Sequence, residues 1–366
     1  MRLPSRLSGL LLACCWAPWC ALAAPAETLT PAYLQDNPPP VYSPGAFVQG
    51  LLRQQLAPAA KQWQTDSTRL QHSLHALCSA PAAQQATARS RSQAAWRDAV
   101  LSWTRLSAVS IGPLIERRTA RHIDFQPARP TLIAKAIANP PSGLADMDQI
   151  GSPAKGLPAL EWLLWQAPSL QPATPECRYL ELVGEDLRAE ADAVQTAFAA
   201  LAQREWLDNE QDASALMGEV VNQWLGAIEQ LRWREMGKPM ASAQPGEAPQ
   251  FSRHLSGVQP EILWLAAWDA ILRVAARDGV RYPRPDGGEQ VPVDIYLLGK
   301  GLREPGLTMR QAAKEADTQM QRLLQHQDAE ARQRALKALA SLQQQIQNTV
   351  APALQISIGF SDSDGD

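Results

Sequence analysis

Apolar positions recur at helical spacing along most of the chain. The first long stripe starts at Phe47 and contains Pro58, which predicts one long amphipathic helix with a bend at the proline. A second stripe advances in steps of three and four from Trp96 and ends before Gly112 and Pro113. The first stripe consists of Phe47, Leu51, Leu52, Leu56, Trp63, Leu70, Leu74 and Leu77, and the second of Trp96, Val100, Trp103 and Leu106. Further helices are predicted over residues 127–138, 158–166, 176–206, 211–235, 257–278, 307–326 and 328–350.

The alternation typical of β-strands is nearly absent. Val291, Val293 and Ile295 alternate once, too briefly for a sheet. Because each long helix can bury one stripe against its neighbours, the pattern predicts an all-α fold of two helical-bundle domains packed side by side. We place the first bundle at residues 46–206 and the second at residues 207–366.

The start of the sequence indicates export. Arg2 and Arg6 precede an apolar run and the small-x-small sequence of residues 21–23, so residues 1–23 are predicted to be a cleaved signal peptide. The product would be periplasmic; the alternative is a lipoprotein anchored at Cys14. Residues 24–45 are rich in proline and show no helical period, which predicts an extended leader. No later run reaches the ~18 apolar residues of a membrane span, so none is expected in the mature protein.

Cysteine content adds one covalent prediction. Three of the five cysteines belong to the signal peptide, and only Cys78 and Cys177 remain after its removal. Two thiols in an oxidising compartment favour a disulfide. Two buried free thiols are the alternative.

Composition excludes several function classes. Charged residues make up 19% of the 366 residues and the net charge is -3, so neither a disordered acidic chain nor a polybasic nucleic-acid binder is expected. The five histidines form no HExxH pattern, and no GxSxG elbow, P-loop or dinucleotide fingerprint is present. His72 and His75 share a helical face that we interpret as polar surface.

One segment combines a helix start with an acid on its apolar face. In residues 155–165, Pro158 suits the first helical turn, and Glu161 lies one turn from both Leu157 and Leu164. A carboxylate directed towards the core needs a cation or hydrogen-bond donors. The sequence leaves two interpretations open: a functional acid, or a structural ion pair with an arginine across the bundle.

Residues 156–161, GLPALE, resemble the GxHxxE signature of the imelysin-like family. These are exported all-helical proteins that include components of iron uptake. The resemblance extends over most of the mature chain, through an early helix with Ala95, Trp96, Trp103, Gly112 and Pro113, an Arg/Ser segment at residues 253–256, and an acidic end at residues 358–366. Asp362, Asp364 and Asp366 resemble part of a calcium loop without its order; a solvated tail is the alternative.

Pro158 stands where the family has histidine, so only Gly156 and Glu161 carry over from the motif. The resemblance implies a periplasmic binding or accessory protein, linked to iron or another metal, with its ligand in a cleft between the bundles. Glu161 would supply charge or a metal ligand, and Arg253 and Ser256 would contribute from the second half. Most of the tryptophans are expected in the core, and a few of them are expected to line this cleft.

Two alternative functions remain at this point. One is a metallopeptidase of the imelysin type, in which His122 or His254 replaces the missing motif histidine beside Glu161. The other is an envelope scaffold that binds a protein partner and no small ligand. We favour binding over catalysis, because proline offers neither a metal ligand nor a proton-transfer group.

Overall fold

The computed structural model describes residues 29–359 except residues 168–169, 245–246, 248 and 278. All regular structure within this part of the chain is helical, so the all-α prediction is confirmed. The predicted signal peptide and the three terminal aspartates lie outside the described residues. None of the described helices is both long and apolar enough to cross a membrane.

The α-helices are α1 (Pro31–Asp36), α2 (Pro44–Leu51), α3 (Ala57–Ser79), α4 (Gln85–Ser107), α5 (Pro113–Glu116), α6 (Thr119–Ile123), α7 (Pro130–Ala138), α8 (Gly156–Gln166), α9 (Pro175–Gln203), α10 (Glu210–Glu229), α11 (Lys238–Ser242), α12 (Pro260–Ala275), α13 (Val293–Gly299), α14 (Arg303–Arg322), α15 (Ala329–Gln345) and α16 (Ala351–Ala353). Short 3₁₀ turns cover Ala82–Gln84, Leu144–Gln149, Ser152–Ala154 and His254–Ser256, and π-helical segments cover Leu52–Leu56, Gln230–Gly237 and Ile346–Val350.

Proline begins many of these helices. Pro31, Pro44, Pro113, Pro130 and Pro175 each lie in a first helical turn, where the missing N–H would have no intrahelical partner. Helix starts therefore account for part of the proline-rich composition. The predicted bend near Pro58 corresponds to a π-helical turn over Leu52–Leu56, which joins α2 to α3.

The structure contains two short helices, α1 and α13, that the sequence pattern did not predict. The leader predicted as extended contains α1, because Thr30 caps that helix by accepting from the Tyr33 N–H. The leader is also packed: Tyr42 is fully buried and its hydroxyl donates to the Pro283 carbonyl. The alternating run at Val293 forms the helix α13, because every residue of that element is buried and a short apolar run cannot distinguish a strand from a buried helix.

The core of the first half is built on α3, which packs against both α4 and α9. A disulfide between Cys78 and Cys177 joins the end of α3 to the start of α9 across 99 residues, as predicted. In the second half, α14 packs against α13 and α15. Helices from the two halves also touch, α4 against α12 and α2 against α10. The division into two domains near residue 206 stays a prediction.

Candidate functional site

The motif helix α8 starts in close contact with α6. Gly156 has a φ of +72°, and a Cβ added there would lie 2.2 Å from the Ile123 carbonyl oxygen. Only glycine fits both the left-handed backbone and this approach. The motif glycine thus fixes the distance between α8 and the end of α6, and Ile123 is followed directly by Asp124.

Glu161 is buried, as its position on the apolar face of α8 predicts. The residue is 6% exposed, and its Oε1 accepts a hydrogen bond of 2.9 Å from the Ser256 backbone N–H. Burial raises the pKa of the Glu161 carboxyl, while the Ser256 N–H and the charge of Arg253 act in the opposite direction. The motif acid therefore holds the turn that carries Arg253 and Ser256, which are 92 and 95 residues further along the chain.

Arg253 occupies an unusual backbone position at the start of this turn. Its φ is +62°, and its carbonyl accepts a 2.7 Å hydrogen bond from the Ser256 hydroxyl. Non-glycine residues in the left-handed region are strained and persist only where surrounding contacts hold them. Such residues are often found at functional sites. Here the contacts of Glu161 and Ser256 hold the turn.

The Arg253 side chain forms an ion pair with Asp124. Nη2 donates to Asp124 Oδ2 at 2.7 Å, and the guanidinium lies 5.8 Å from the ring centroid of Trp96. The side chain is 5% exposed, and within the described part of the protein Nη1 has no hydrogen-bond partner. Asp124 Oδ2 also accepts from Trp103 Nε1 at 2.8 Å.

A cavity of about 100 Å³ lies next to this arginine. We call it the cleft cavity, because its walls come from both halves of the sequence: α4, the loop after α6, the π-helical segment after α10, the residues before the 253–256 turn, and α12. Its lining includes Trp103, Ser107, Asp124, Glu235, Arg253 and Trp264. Among the four residues predicted as ligand-binding, Arg253 lines the cavity, whereas Gly156, Glu161 and Ser256 support the elements around it.

Asp124 and Glu235 are site residues that the sequence did not reveal. Each is a single acid with no motif around it. Their place at the cavity depends on the approach of α6 to α8 and on the π-helical segment Gln230–Gly237. Short π-helical segments are frequent at functional sites, so the segment that carries Glu235 is itself an indication of function.

The two histidines considered as substitutes for the motif histidine have other surroundings. His122 Nε2 lies 2.9 Å from Asp186 Oδ2 and 3.4 Å from Lys155 Nζ, and His254 is exposed. Within the described ranges, no group of three or more His, Cys, Asp and Glu side chains is placed to hold a metal ion. The contacts of Glu161 are hydrogen-bond donors and a cation, which suit a carboxylate rather than a metal centre. That Glu161 ligates a metal stays a prediction.

Comparison with known proteins places this arrangement in a family. The chain resembles the crystal structure of an imelysin-like protein from Psychrobacter arcticum 273-4, with a TM-score of 0.67 and 16% identity over 87% of this chain and 97% of that one. It also resembles a putative iron-regulated protein A precursor from Parabacteroides distasonis ATCC 8503, with a TM-score of 0.63 and 13% identity over 86% of this chain and 95% of that one. At these identities the structural likeness concerns the fold. No curated protein matches the chain. The family model described as Imelysin, of the peptidase M75 class, matches residues 56–354, and the chain therefore belongs to the Imelysin family.

Proposed function

We propose that this protein binds a small ligand in the cleft cavity and acts as a binding or accessory protein of the Imelysin family. The observation that carries the proposal is a cavity between the two halves of the chain that is lined by the ion-paired Arg253 and Asp124, by Glu235 and by two tryptophans. A few charged groups that converge with aromatic side chains on a cavity are typical of small-ligand sites.

Glu161 would act as a positioning residue in this function. Its hydrogen bond to the Ser256 N–H holds the turn in which Arg253 adopts a positive φ. The position of this turn then determines where the Arg253 guanidinium meets Asp124 and the cavity. The family motif implies that Glu161 contacts the ligand directly. In our proposal Glu161 instead supports Arg253, which makes that contact.

Location and ligand source form the second part of the proposal. We propose export to the periplasm and a link to iron or another metal. The predicted signal peptide over residues 1–23 supports export, as does the word "precursor" in the name of the Parabacteroides distasonis neighbour. The description of that neighbour as iron-regulated supports a link with metal supply.

A first experiment tests whether the cleft cavity binds ligands. Ligand-observed NMR would screen the mature protein against fragments comprising carboxylates, amines, zwitterions and neutral aromatics. Ala108, which directly follows α4, lines the cavity, whereas Ala86, in the first turn of α4, is exposed. We expect Ala108→Phe to abolish the binding of every hit and Ala86→Phe to leave it unchanged. Hits that bind Ala108→Phe as well as wild type, or a screen without hits, would overturn the proposal and favour the scaffold alternative.

The positioning role of Glu161 has its own test. Gln at this position can still accept from the Ser256 N–H, whereas Ala cannot. We expect Glu161→Ala to weaken fragment binding at least tenfold and Glu161→Gln to restore most of it, with helical circular dichroism unchanged in both. Equal losses in the two variants would show that the charge of Glu161, and not its hydrogen bond, is what the site requires.

Metal and peptidase functions are separated by two further measurements. Titration of the mature protein with ferrous, ferric-citrate and zinc ions, followed by tryptophan fluorescence, should give saturable changes if the proposed metal link is direct. Unsaturable titrations would overturn a direct link. Chelator-sensitive cleavage of a protein substrate would instead favour the metallopeptidase alternative.

A further inference from the structure

We infer that the cleft cavity recognises a small organic amine in its protonated form, a monocation with an apolar body. This inference rests on the proposed binding function and names its ligand class. Three observations carry it: the charge balance of the lining, the acceptor character of its hydroxyl groups, and the apolar side chains around them.

The charged groups of the lining leave one negative charge without a partner. Two acids and one base line the cavity, Asp124, Glu235 and Arg253, which gives a net charge of -1. Asp124 and Arg253 form an ion pair of 2.7 Å, so their charges cancel and the remaining charge is that of Glu235. A cationic ligand is the kind that balances this charge.

Glu235 has an oxygen that is open to such a ligand. Its Oε2 accepts from the Ser252 hydroxyl at 2.8 Å, and among the described residues Glu235 forms no ion pair. The neighbouring arginines of the π-helical segment have other surroundings, since Arg232 donates to Gln343 and Arg234 is exposed. An ammonium group at Oε1 would form a charge-assisted hydrogen bond with this carboxylate.

The hydroxyl groups of the lining also favour a donor on the ligand. Thr104 and Ser107 each donate to the backbone carbonyl of the residue four positions earlier, at 2.8 Å, and Ser252 donates to Glu235. A hydroxyl has one hydrogen to donate and two lone pairs that accept. These three groups can therefore still accept from a ligand, which matches the N–H groups of an ammonium better than the oxygens of a carboxylate.

Arg253 contributes a wall of the cavity rather than a partner for an anion. Its Nη2 donates to Asp124, and its Nη1 is enclosed by the protein. Ser252 directly precedes Arg253 in the chain, so the turn that Glu161 holds also places the hydroxyl that orients Glu235. The positioning role of Glu161 thus extends to the acid that would bind the ammonium.

The remaining walls set the character and size of the ligand body. The indole rings of Trp103 and Trp264 suit both an apolar group and an ammonium. Leu231, Leu263 and Ile271 complete the apolar part of the lining. A volume of about 100 Å³ leaves room for a small molecule only.

Calorimetric titration of the mature protein tests the inference with three ligands that share one branched carbon skeleton. Isoamylamine is a cation at neutral pH, 3-methylbutan-1-ol is its neutral counterpart, and L-leucine adds a carboxylate to the amine. We expect isoamylamine to bind more tightly than either of the others by roughly tenfold or more, because the alcohol lacks the charge and the leucine carboxylate finds no open cation. Binding of the alcohol or of leucine as tight as that of isoamylamine would overturn the inference.

A pair of variants assigns the effect to the acid that we name. Glu235→Gln removes the charge but keeps an oxygen that can accept from Ser252, so it should weaken isoamylamine binding roughly tenfold and leave 3-methylbutan-1-ol unchanged. Glu229→Gln makes the same change of charge at a residue outside the cavity lining and should leave both ligands unchanged. Unchanged isoamylamine binding by Glu235→Gln, or an equal loss in Glu229→Gln, would refute the assignment.

The two levels of the proposal fail differently. If fragments of another class bind in a manner that Ala108→Phe abolishes while no amine binds, the amine inference is wrong and the proposed binding function stands. If no fragment and no amine binds, both are wrong.

Discussion

The close approach of α8 to α6 gives a sharp prediction about Gly156. An alanine Cβ there would lie 2.2 Å from the Ile123 carbonyl oxygen, about 1.2 Å short of the 3.4 Å at which ordinary contacts begin. The next two atoms it would meet are also backbone atoms, because the added Cβ would lie 2.5 Å from the Ile123 carbonyl carbon and 2.7 Å from its Cα. No side-chain rotation can therefore relieve the overlap, and the chain at Ile123 must move.

Two costs add at this position. A left-handed backbone costs an L-residue with a side chain roughly 1–2 kcal/mol, and forced backbone shifts in a packed interior cost about 1–3 kcal/mol. We expect Gly156→Ala to lower the free energy of unfolding by about 2–5 kcal/mol. Because Asp124 follows Ile123, the same displacement should also weaken ligand binding in the cleft cavity.

Gly257 provides the matched control. Its φ is +66°, but a Cβ added there meets no atom within 4 Å. Gly257→Ala therefore isolates the backbone cost, about 1–2 kcal/mol. Urea unfolding of both variants, followed by circular dichroism, measures the difference. If Gly156→Ala costs no more than Gly257→Ala, the proposed steric contact between α8 and Ile123 is refuted.

Two further perturbations test the covalent and electrostatic features of the core. The double variant Cys78→Ser/Cys177→Ser should lose about 2–5 kcal/mol of unfolding free energy, because the bridge closes a long loop in the unfolded chain. A reductant should then lower the unfolding free energy of wild type but not that of the variant. A loss below about 1 kcal/mol in the variant would contradict this stabilising role of the disulfide. Burial raises the pKa of Asp294 to about 6 from its ordinary 3.8, despite its 2.7 Å bond from Arg310. The folded state thus binds a proton at Asp294 more tightly than the unfolded state does. The resulting contribution to the unfolding free energy, about 3 kcal/mol, is fully present below about pH 4 and is lost as the pH rises through about 6. Unfolding free energies at pH 4 and pH 7 should show this loss in wild type and in the exposed-site control Asp286→Asn, and a smaller one in Asp294→Asn; equal losses in all three would refute the assignment.

Local patterns in the sequence were sufficient for the fold class and for part of the candidate site. Helical periodicity indicated α3, α4 and most later helices, because a residue's position on a helix face follows directly from its spacing. The burial of Glu161 followed from the same geometry. The disulfide followed from cysteine count and compartment, since only two thiols remain after the predicted cleavage.

The partners of these residues depended on tertiary structure. Glu161 meets the Ser256 N–H across 95 positions, and Arg253 meets Asp124 across 129. Such pairs are set by how whole helices pack, which no local spacing encodes. For the same reason nothing in the sequence indicated that Glu235 lies at the cavity or that the leader is buried through Tyr42. The sequence determined which faces of the helices are buried, and the packing of those faces decided which polar groups meet and where a cavity forms between them.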